Sequence, residues 1–147
     1  MKGWLLDVNV LIALIDTGHD HHSFVRPWFS QHGSRAWATC PLTENGVVRI
    51  LSTPKYRPQA LKPRDSAIAL DALKRRFATT HQFWPDSLSL NDDCFDLHRL
   101  IGPRQITDMY LLGLAAKSGG SVATLDRRMD WRMIRHQSAN LVTVLRP

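Results

Sequence analysis

Apolar residues follow two patterns that alternate along the chain. Short continuous apolar runs bounded by turn residues predict buried strands. These runs are residues 3–7, 35–39, 81–84, 121–125 and 141–145. Apolar residues at helical spacing predict helices over residues 8–15, 22–32, 91–100 and 107–117, with two more beginning at Thr43 and Asp65. The helix over 107–117 is apolar almost all round, which is typical of a central buried helix, and the glycines at 119 and 120 end it.

The order of the elements indicates an α/β fold. Strands that alternate with helices predict a mostly parallel central sheet of about five strands with helices on both faces. The three prolines between residues 52 and 63 predict an extended loop inside the domain, because periodic segments flank it on both sides. A chain of 147 residues is one ordinary domain in length, so we expect a single domain over residues 1–147.

Composition narrows the possible partners. The net charge of +6 favours an acidic partner, nucleic acid above all. No apolar run approaches the ~18 residues of a membrane helix, and an acid follows the first two leucines, so we expect a cytoplasmic protein without a membrane segment or secretory leader. Cys40 and Cys94 lie among apolar neighbours, and we expect two reduced thiols in the core.

Four acidic residues stand where predicted elements begin or end. Asp7 and Asp126 close the first and fourth strands, and Asp108 and Glu44 open helices. In parallel sheets, functional sites form just beyond the carboxyl ends of the strands. Each acid alone also has a structural explanation: Asp7 as a helix cap, and Asp108 and Glu44 as first-turn acids that meet the helix dipole.

Taken together, the four acids predict a cation site. Several carboxylates brought close repel one another, and a divalent cation relieves that repulsion. Oxygen ligands without cysteine or clustered histidine suit Mg²⁺ or Mn²⁺ better than zinc. Such an ion in a basic protein typically activates water against a phosphate. The residues therefore indicate hydrolysis of a phosphodiester bond.

Four motifs in order resemble those of PIN-domain ribonucleases, specifically the VapC-type toxins of bacterial type II toxin–antitoxin pairs. They are LDVNVLI at 6–12, TENGVVR at 43–49, TDMYLLGLA at 107–115 and ATLDR at 123–127. The resemblance implies a PIN fold, Mg²⁺- or Mn²⁺-dependent cleavage of RNA by water, a homodimer and a cognate antitoxin. By position it implies metal-binding acids at Asp7, Asp108, Asp126 and Glu44, and side chains that orient them at Asn9 and Thr107.

Arginines near these acids are candidate phosphate contacts. Arg127 and Arg128 follow the last acid and are the better candidates for RNA. Arg49 lies on the same predicted helix as Glu44, where contact with phosphate and pairing with an acid are equally good explanations. The run 74–76, Lys-Arg-Arg, is most simply a solvated helix end that complements the dipole.

Two other functions compete with a nuclease. The first is a catalytically silent PIN-like module that binds RNA or protein, which the presence of all four acids disfavours. The second is phosphoryl transfer through an aspartyl intermediate at Asp7. That chemistry needs a lysine near the phosphoryl group, and no lysine closes a predicted strand.

Overall fold

The computed structural model describes residues 3–57 and 60–147, and within them it contains a five-stranded sheet. Its strands are β1 (Trp4–Leu6), β2 (Trp37–Thr39), β3 (His81–Phe83), β4 (Ser121–Thr124) and β5 (Val142–Val144). The spatial order is β3-β2-β1-β4-β5, and every pairing is parallel. All five predicted strands are confirmed, each within the predicted range.

Five α-helices connect the strands in the described ranges: α1 (Val8–Ile15), α2 (His22–Gln31), α3 (Pro41–Leu51), α4 (Pro63–Arg76) and α5 (Ile106–Ser118). The predicted starts of α3 and α4, at Thr43 and Asp65, were two residues late. Each helix begins at a proline, whose fixed φ and missing N–H suit the first helical position. Thr43 still supports α3, since its Oγ1 accepts a hydrogen bond from the Cys40 N–H at 3.0 Å.

The predicted helix over residues 91–100 is wrong. This segment forms turns and a short 3₁₀ helix, Leu97–Arg99. Its backbone pairs with a distant segment instead: Phe95 and Ile134 form an antiparallel bridge, and the Arg135 N–H donates to the Cys94 carbonyl at 2.8 Å. Phe95 is buried, whereas Leu97 is 48% exposed. The apolar residues of this segment are therefore one buried side chain, Phe95, and others that are half-buried or exposed, and they do not form the buried face of a helix.

Helices cover both faces of the sheet, as predicted. On one face α5 packs over Leu5 and Val122, and residues 109–115 of this helix are buried without interruption. On the other face α1, α2 and α3 pack over Leu6 and Ala123. Gly119 ends α5 in the left-handed region, at φ 73°, where glycine carries no Cβ penalty.

The strand order places a switch point between β1 and β4. From β1, the strands β2 and β3 are added in turn on one side of the sheet. The next strand, β4, lies on the other side of β1, and β5 lies beyond it. Ligands bind at such switch points, beyond the carboxyl ends of the strands. We call this end of the sheet, where β1, β2, β3 and β4 stop, its carboxyl end.

Three further expectations concern the rest of the chain. Cys40 is buried and Cys94 half-buried, and both are free thiols. The proline-rich loop joins α3 to α4 as predicted, although Pro58 and Gln59 lie outside the described residues. Among the helices described, none combines the length and the apolar character that crossing a membrane would require.

Candidate active site at the carboxyl end of the sheet

Asp7 leaves β1 and caps α1. Its Oδ1 accepts a hydrogen bond from the Val8 N–H at 2.7 Å, and the residue is only 7% exposed. The capping role considered from the sequence is therefore real. It uses one carboxylate oxygen and leaves Oδ2 to face the neighbouring strand β4.

Thr124, the last residue of β4, joins three groups of the site. Its Oγ1 donates to Asp7 Oδ2 at 2.7 Å, and it accepts from the Asp126 N–H at 3.0 Å and from Asn9 Nδ2 at 3.3 Å. One donated and two accepted bonds use the full capacity of a hydroxyl. The sequence analysis did not select Thr124; the available signal was a polar residue at the end of a fully buried strand, two positions before an acid.

Asn9 completes this network; that it orients metal-binding acids, as the family resemblance implies, stays a prediction. Its Oδ1 accepts a hydrogen bond from the Leu125 N–H at 3.1 Å, and its amide donates to Thr124. Both partners lie just before Asp126 in the chain. Asn9 therefore holds the first turn of α1 against the end of β4.

Asp108, in the first turn of α5, faces the same space as Asp7 and Asp126. Burial, followed by the charges of Asp7 and Asp126, raises the pKa of Asp108 to about 6. The pKa of Asp7 is raised as well, chiefly by burial and in smaller part by the charge of Asp126. Three of the predicted acids thus form one electrostatically coupled cluster at the switch point.

Asp126 is half-buried and is paired with Arg128. Its Oδ1 accepts from the Arg128 backbone N–H at 2.9 Å and from Nε at 3.2 Å. Arg127 is exposed beside it. The two arginines predicted to contact RNA therefore lie at the rim of the aspartate cluster, one of them already on an aspartate.

The donor set of this cluster fits a hard divalent cation. It offers carboxylate oxygens, and two of the acids have raised pKa values that a nearby positive charge would lower. Within residues 3–57 and 60–147, however, no three His, Cys, Asp or Glu side chains already lie grouped for a shared ion. Both contacts of the Asp126 side chain with Arg128 use Oδ1, so Oδ2 would be the oxygen available to a shared ion.

Glu44 is placed apart from the three aspartates. Its Oε1 accepts from Thr39 Oγ1 at 3.0 Å and pairs with Lys74 Nζ at 2.5 Å. Lys74 belongs to the run expected to be a solvated helix end, but its side chain is only 27% exposed and is turned towards Glu44. A metal-binding role for Glu44 remains a prediction.

Two further predicted residues, Thr107 and Arg49, are exposed. Thr107 is exposed and lines a shallow groove with Leu42 and Tyr110. Arg49 is exposed in the last turn of α3, about 12 Å along the helix from its first residue. Since α3 starts at the carboxyl end of the sheet and runs back along it, the Arg49 backbone lies towards the opposite end of the sheet.

The comparison with known proteins agrees with this fold. The pattern of the PIN domain matches residues 4–131. Ribonuclease VapC38 of Mycobacterium tuberculosis is 44% identical over 122 residues, which cover 83% of this chain and 84% of that protein. Ribonuclease VapC39 of the same organism is 40% identical over 143 residues, covering 96% and 98%.

The matched region contains every motif quoted from the sequence, and its parallel sheet carries the aspartates at the switch point. The chain therefore belongs to the PIN-domain family, in its VapC-type branch. Ribonuclease VapC44 of Mycobacterium tuberculosis, 42% identical over 125 residues, extends the same similarity. The family resemblance expected from the motifs is confirmed.

Proposed function

We propose that the protein is a metal-dependent endoribonuclease and the toxin of a toxin–antitoxin pair. The observation that carries the proposal is the coupled cluster of Asp7, Asp108 and Asp126 at the switch point of the sheet. The names of the relatives, ribonucleases of the VapC type, support the same activity.

Asp7, Asp108 and Asp126 would hold Mg²⁺ or Mn²⁺. When bound, such an ion activates water and stabilises charge on the phosphate oxygens. The protein's own part is to position the acids: Thr124 fixes Asp7, and the backbone of Asp126 is tied to the same hydroxyl. Glu44 would contribute a fourth acid through Oε2, since its contacts with Thr39 and Lys74 both use Oε1.

The arginines beside the cluster would bind the substrate. Arg128 is exposed and contacts Asp126 through Nε and its backbone N–H, so its terminal guanidinium N–H groups would bind an RNA phosphate beside that carboxylate. Arg127 adds a second positive charge at the same rim. Phosphate contacts of this kind supply affinity without reading sequence.

A cytoplasmic homodimer inhibited by a cognate antitoxin completes the proposal. Two surfaces support protein partners. Leu42, Leu90 and Ile106 are exposed apolar side chains near the start of α5, a surface suited to a second copy. A groove between α1, α2 and α4, lined by Leu73 and Phe77 among others and flanked by basic side chains, suits an acidic and apolar antitoxin segment.

The test of the nuclease is cleavage of total cellular RNA by the purified protein with Mg²⁺ or Mn²⁺. We expect discrete fragments, which disappear with EDTA and in Asp108→Asn. The matched control is Asp130→Asn, which removes an acid four positions beyond Asp126 that is already bonded to the Arg132 backbone and side chain. It should cleave at the wild-type rate.

The outcomes separate the candidate functions. Equal cleavage by folded Asp108→Asn would contradict the role given to Asp108. Binding of RNA without cleavage under any metal would favour the silent PIN-like module instead. That alternative draws on one observation, since Arg128 and Lys74 already neutralise two of the four acids.

A further inference from the structure

We propose that Phe83 and Lys74 form a second RNA-binding subsite, in which a base stacks on the Phe83 ring and Lys74 holds the adjoining phosphate. This inference rests on the proposed function and adds to it a place for a nucleotide beside the one that is cut. Neither residue belongs to the motifs that define the aspartate cluster.

Phe83 is an aromatic side chain that the fold leaves open. It ends β3, the outermost strand on its side of the sheet, and it is 50% exposed. The other rings on this face are packed: Trp37 is fully buried and lies against the His81 ring, with centroids 4.5 Å apart. An exposed ring at the open end of a sheet is a platform on which bases of any sequence can stack.

Lys74 supplies a cation fixed in place over this ring. Its Nζ lies 5.7 Å from the centroid of Phe83 and pairs with Glu44. An ammonium group has three N–H donors, so the pairing leaves donors for a phosphate oxygen. A ring and a cation in contact are the two groups that single-stranded nucleic acid needs, one for the base and one for the backbone.

A chain of hydrogen bonds holds Lys74 in this position. Thr39 Oγ1 donates to Glu44 Oε1 at 3.0 Å and lies 2.8 Å from His81 Nε2. Because the single hydroxyl proton of Thr39 goes to Glu44, His81 must donate through Nε2. The carboxylate of Glu44 is therefore fixed from the sheet side, and it in turn fixes Lys74.

The subsite lies on the same end of the sheet as the aspartates. Phe83 is in register with Thr39, and Thr39 occupies the position beside Leu6, which immediately precedes Asp7. Two strand spacings of about 4.8 Å separate β3 from β1, roughly 10 Å in all. One strand of RNA could therefore contact the aspartates and Phe83 with neighbouring nucleotides.

The charge around Phe83 favours RNA over a protein partner. Lys74 Nζ lies over the ring, and the whole chain carries a net charge of +6. Arg75 and Arg76, which follow it at the end of α4, are directed at Asp71 and at the Phe77 ring. The Glu44–Lys74 ion pair beside Phe83 is a charged rather than an apolar surface, and a cation in contact with one exposed ring matches a polyanion with stacking bases.

The test is the affinity of an unstructured, fluorescently labelled RNA oligonucleotide for Asp108→Asn protein in EDTA, measured by anisotropy. In this background we expect Phe83→Ala to raise Kd about tenfold, because stacking on one aromatic side chain contributes that much. Phe83→Trp should restore or improve binding. The matched control is Ile68→Ala, which removes a side chain of similar exposure, 55%, from the solvent side of α4 and should leave Kd unchanged.

The phosphate contact has its own measurement. Lys74→Gln should reduce the slope of log Kd against log salt by about 0.7, the value of one phosphate contact to single-stranded nucleic acid. Arg75→Gln removes the neighbouring charge, which is directed at Asp71 and solvent, and should change the slope less.

Unchanged affinity in Phe83→Ala, with no gain in Phe83→Trp, would overturn the subsite and leave the ring available for a protein contact. Retained cleavage by the wild-type protein in that case would leave the nuclease intact, so the two proposals fail separately. If the Asp108→Asn protein binds no RNA at all in EDTA, the subsite falls, while cleavage by the wild-type protein with metal still decides the nuclease. Circular dichroism of each variant establishes that lost affinity is not lost folding.

Discussion

At the scale of single residues, one carboxylate serves both the fold and the site. Asp7 caps α1 through one oxygen and receives the Thr124 hydroxyl on the other. A buried aspartate with a raised pKa would be destabilising without such donors. The hydrogen bond from Val8 therefore favours the ionised form of Asp7, which the proposed chemistry needs. The hydrogen bond from Thr124 fixes the orientation of the Asp7 carboxylate.

We predict that Thr124→Val impairs cleavage more than it impairs folding. Loss of the hydroxyl leaves Asp7, Asn9 and the Asp126 N–H each without one partner, which should lower the free energy of unfolding by about 1–3 kcal/mol. Cleavage should fall about 10- to 100-fold, as it does when a residue that orients ligands is lost. Thr124→Ser keeps the hydroxyl and should retain most activity. Comparable cleavage by the two variants would refute this role.

The stability of the metal-free protein should depend on Asp108 in a defined pH range. The pKa of this carboxyl is about 6 in the folded protein, above its ordinary value of 3.8. Since the folded state binds the proton more tightly, the protonated Asp108 carboxyl stabilises the folded protein. This contribution to the free energy of unfolding is fully present below about pH 4 and is lost as pH rises through about 6.

Asp108→Asn should therefore be more stable than the wild type at pH 7 in EDTA, and equal to it near pH 3.5. We expect a difference of about 1 kcal/mol at pH 7, less than the full linkage value because solvent screens a half-buried carboxylate. Urea unfolding at both pH values measures it. A variant less stable than the wild type at pH 7 would show that Asp108 is stabilising as a charge.

At the scale of elements, the approach of α3 to α1 sets the position of Asp7. A Cβ on Gly46 would lie 2.8 Å from Val8 Cγ2, closer than carbon atoms can approach. Val8 is β-branched and stiff in a helix, so it cannot turn away. Only glycine lets α3 pack directly on the residue that follows Asp7.

We predict that Gly46→Ala destabilises the protein by about 1–3 kcal/mol, even though alanine favours helix by up to ~1 kcal/mol. Val8→Ala in the same chain should recover part of that loss, giving a positive coupling in a double-mutant cycle of unfolding free energies. Additive effects of the two substitutions would contradict direct contact between these residues.

Elements that rest on local rules could be predicted, and those that rest on distant contacts could not. The inner strands β1, β2 and β4 were correct because each is a short apolar run that its neighbours bury, whereas the edge strands β3 and β5 are more exposed and are bounded by turn residues. The segment 91–100 failed because its backbone finds partners forty residues away, near Ile134, and such pairing overrides a helical spacing. The helices α3 and α4 each begin two residues earlier than predicted, because a proline occupies the first helical position of each.

The candidate site divides in the same way. The three aspartates could be found because parallel strands end together and ligands bind where they end. Thr124 and the pair Glu44–Lys74 could not, since a hydroxyl and a salt bridge between α3 and α4 depend on side-chain geometry that spacing does not encode. Lys74 in particular was expected to be solvated with its neighbours.

At the scale of the whole molecule, basic residues lie at both ends of the sheet, but only those at the carboxyl end are near the aspartates. Arg127 and Arg128 lie at the carboxyl end of the sheet beside the aspartates, whereas Arg35 and Lys117 precede β2 and β4 and lie at the opposite end. Charge acts on RNA mainly through direct phosphate contacts, because salt screens it beyond about 8–10 Å. Position therefore matters more than net charge.

We predict that Arg127→Gln with Arg128→Gln weakens RNA binding and lowers its salt dependence. The slope of log Kd against log salt should fall by about 1.4 for two lost contacts. Arg35→Gln with Lys117→Gln removes the same charge from the far end and should leave the slope nearly unchanged. Anisotropy titrations between about 50 and 200 mM salt measure the slope for both double variants. Over this salt range the affinity for RNA should change about tenfold or more. Equal slopes would place the RNA elsewhere.

The hydrogen bond from Thr124 to Asp7 spans 117 positions of the chain. During synthesis the ribosome releases Asp7 first and β4 only after most of the protein has emerged. Until β4 pairs with β1, Asp7 lacks its donor, and Asp126 has no place beside it. A nascent or truncated chain therefore carries no assembled acidic centre. The proposed activity would therefore arise only once translation of the chain is complete. An inhibitor that is already present by then can bind the protein as soon as its acidic centre has assembled.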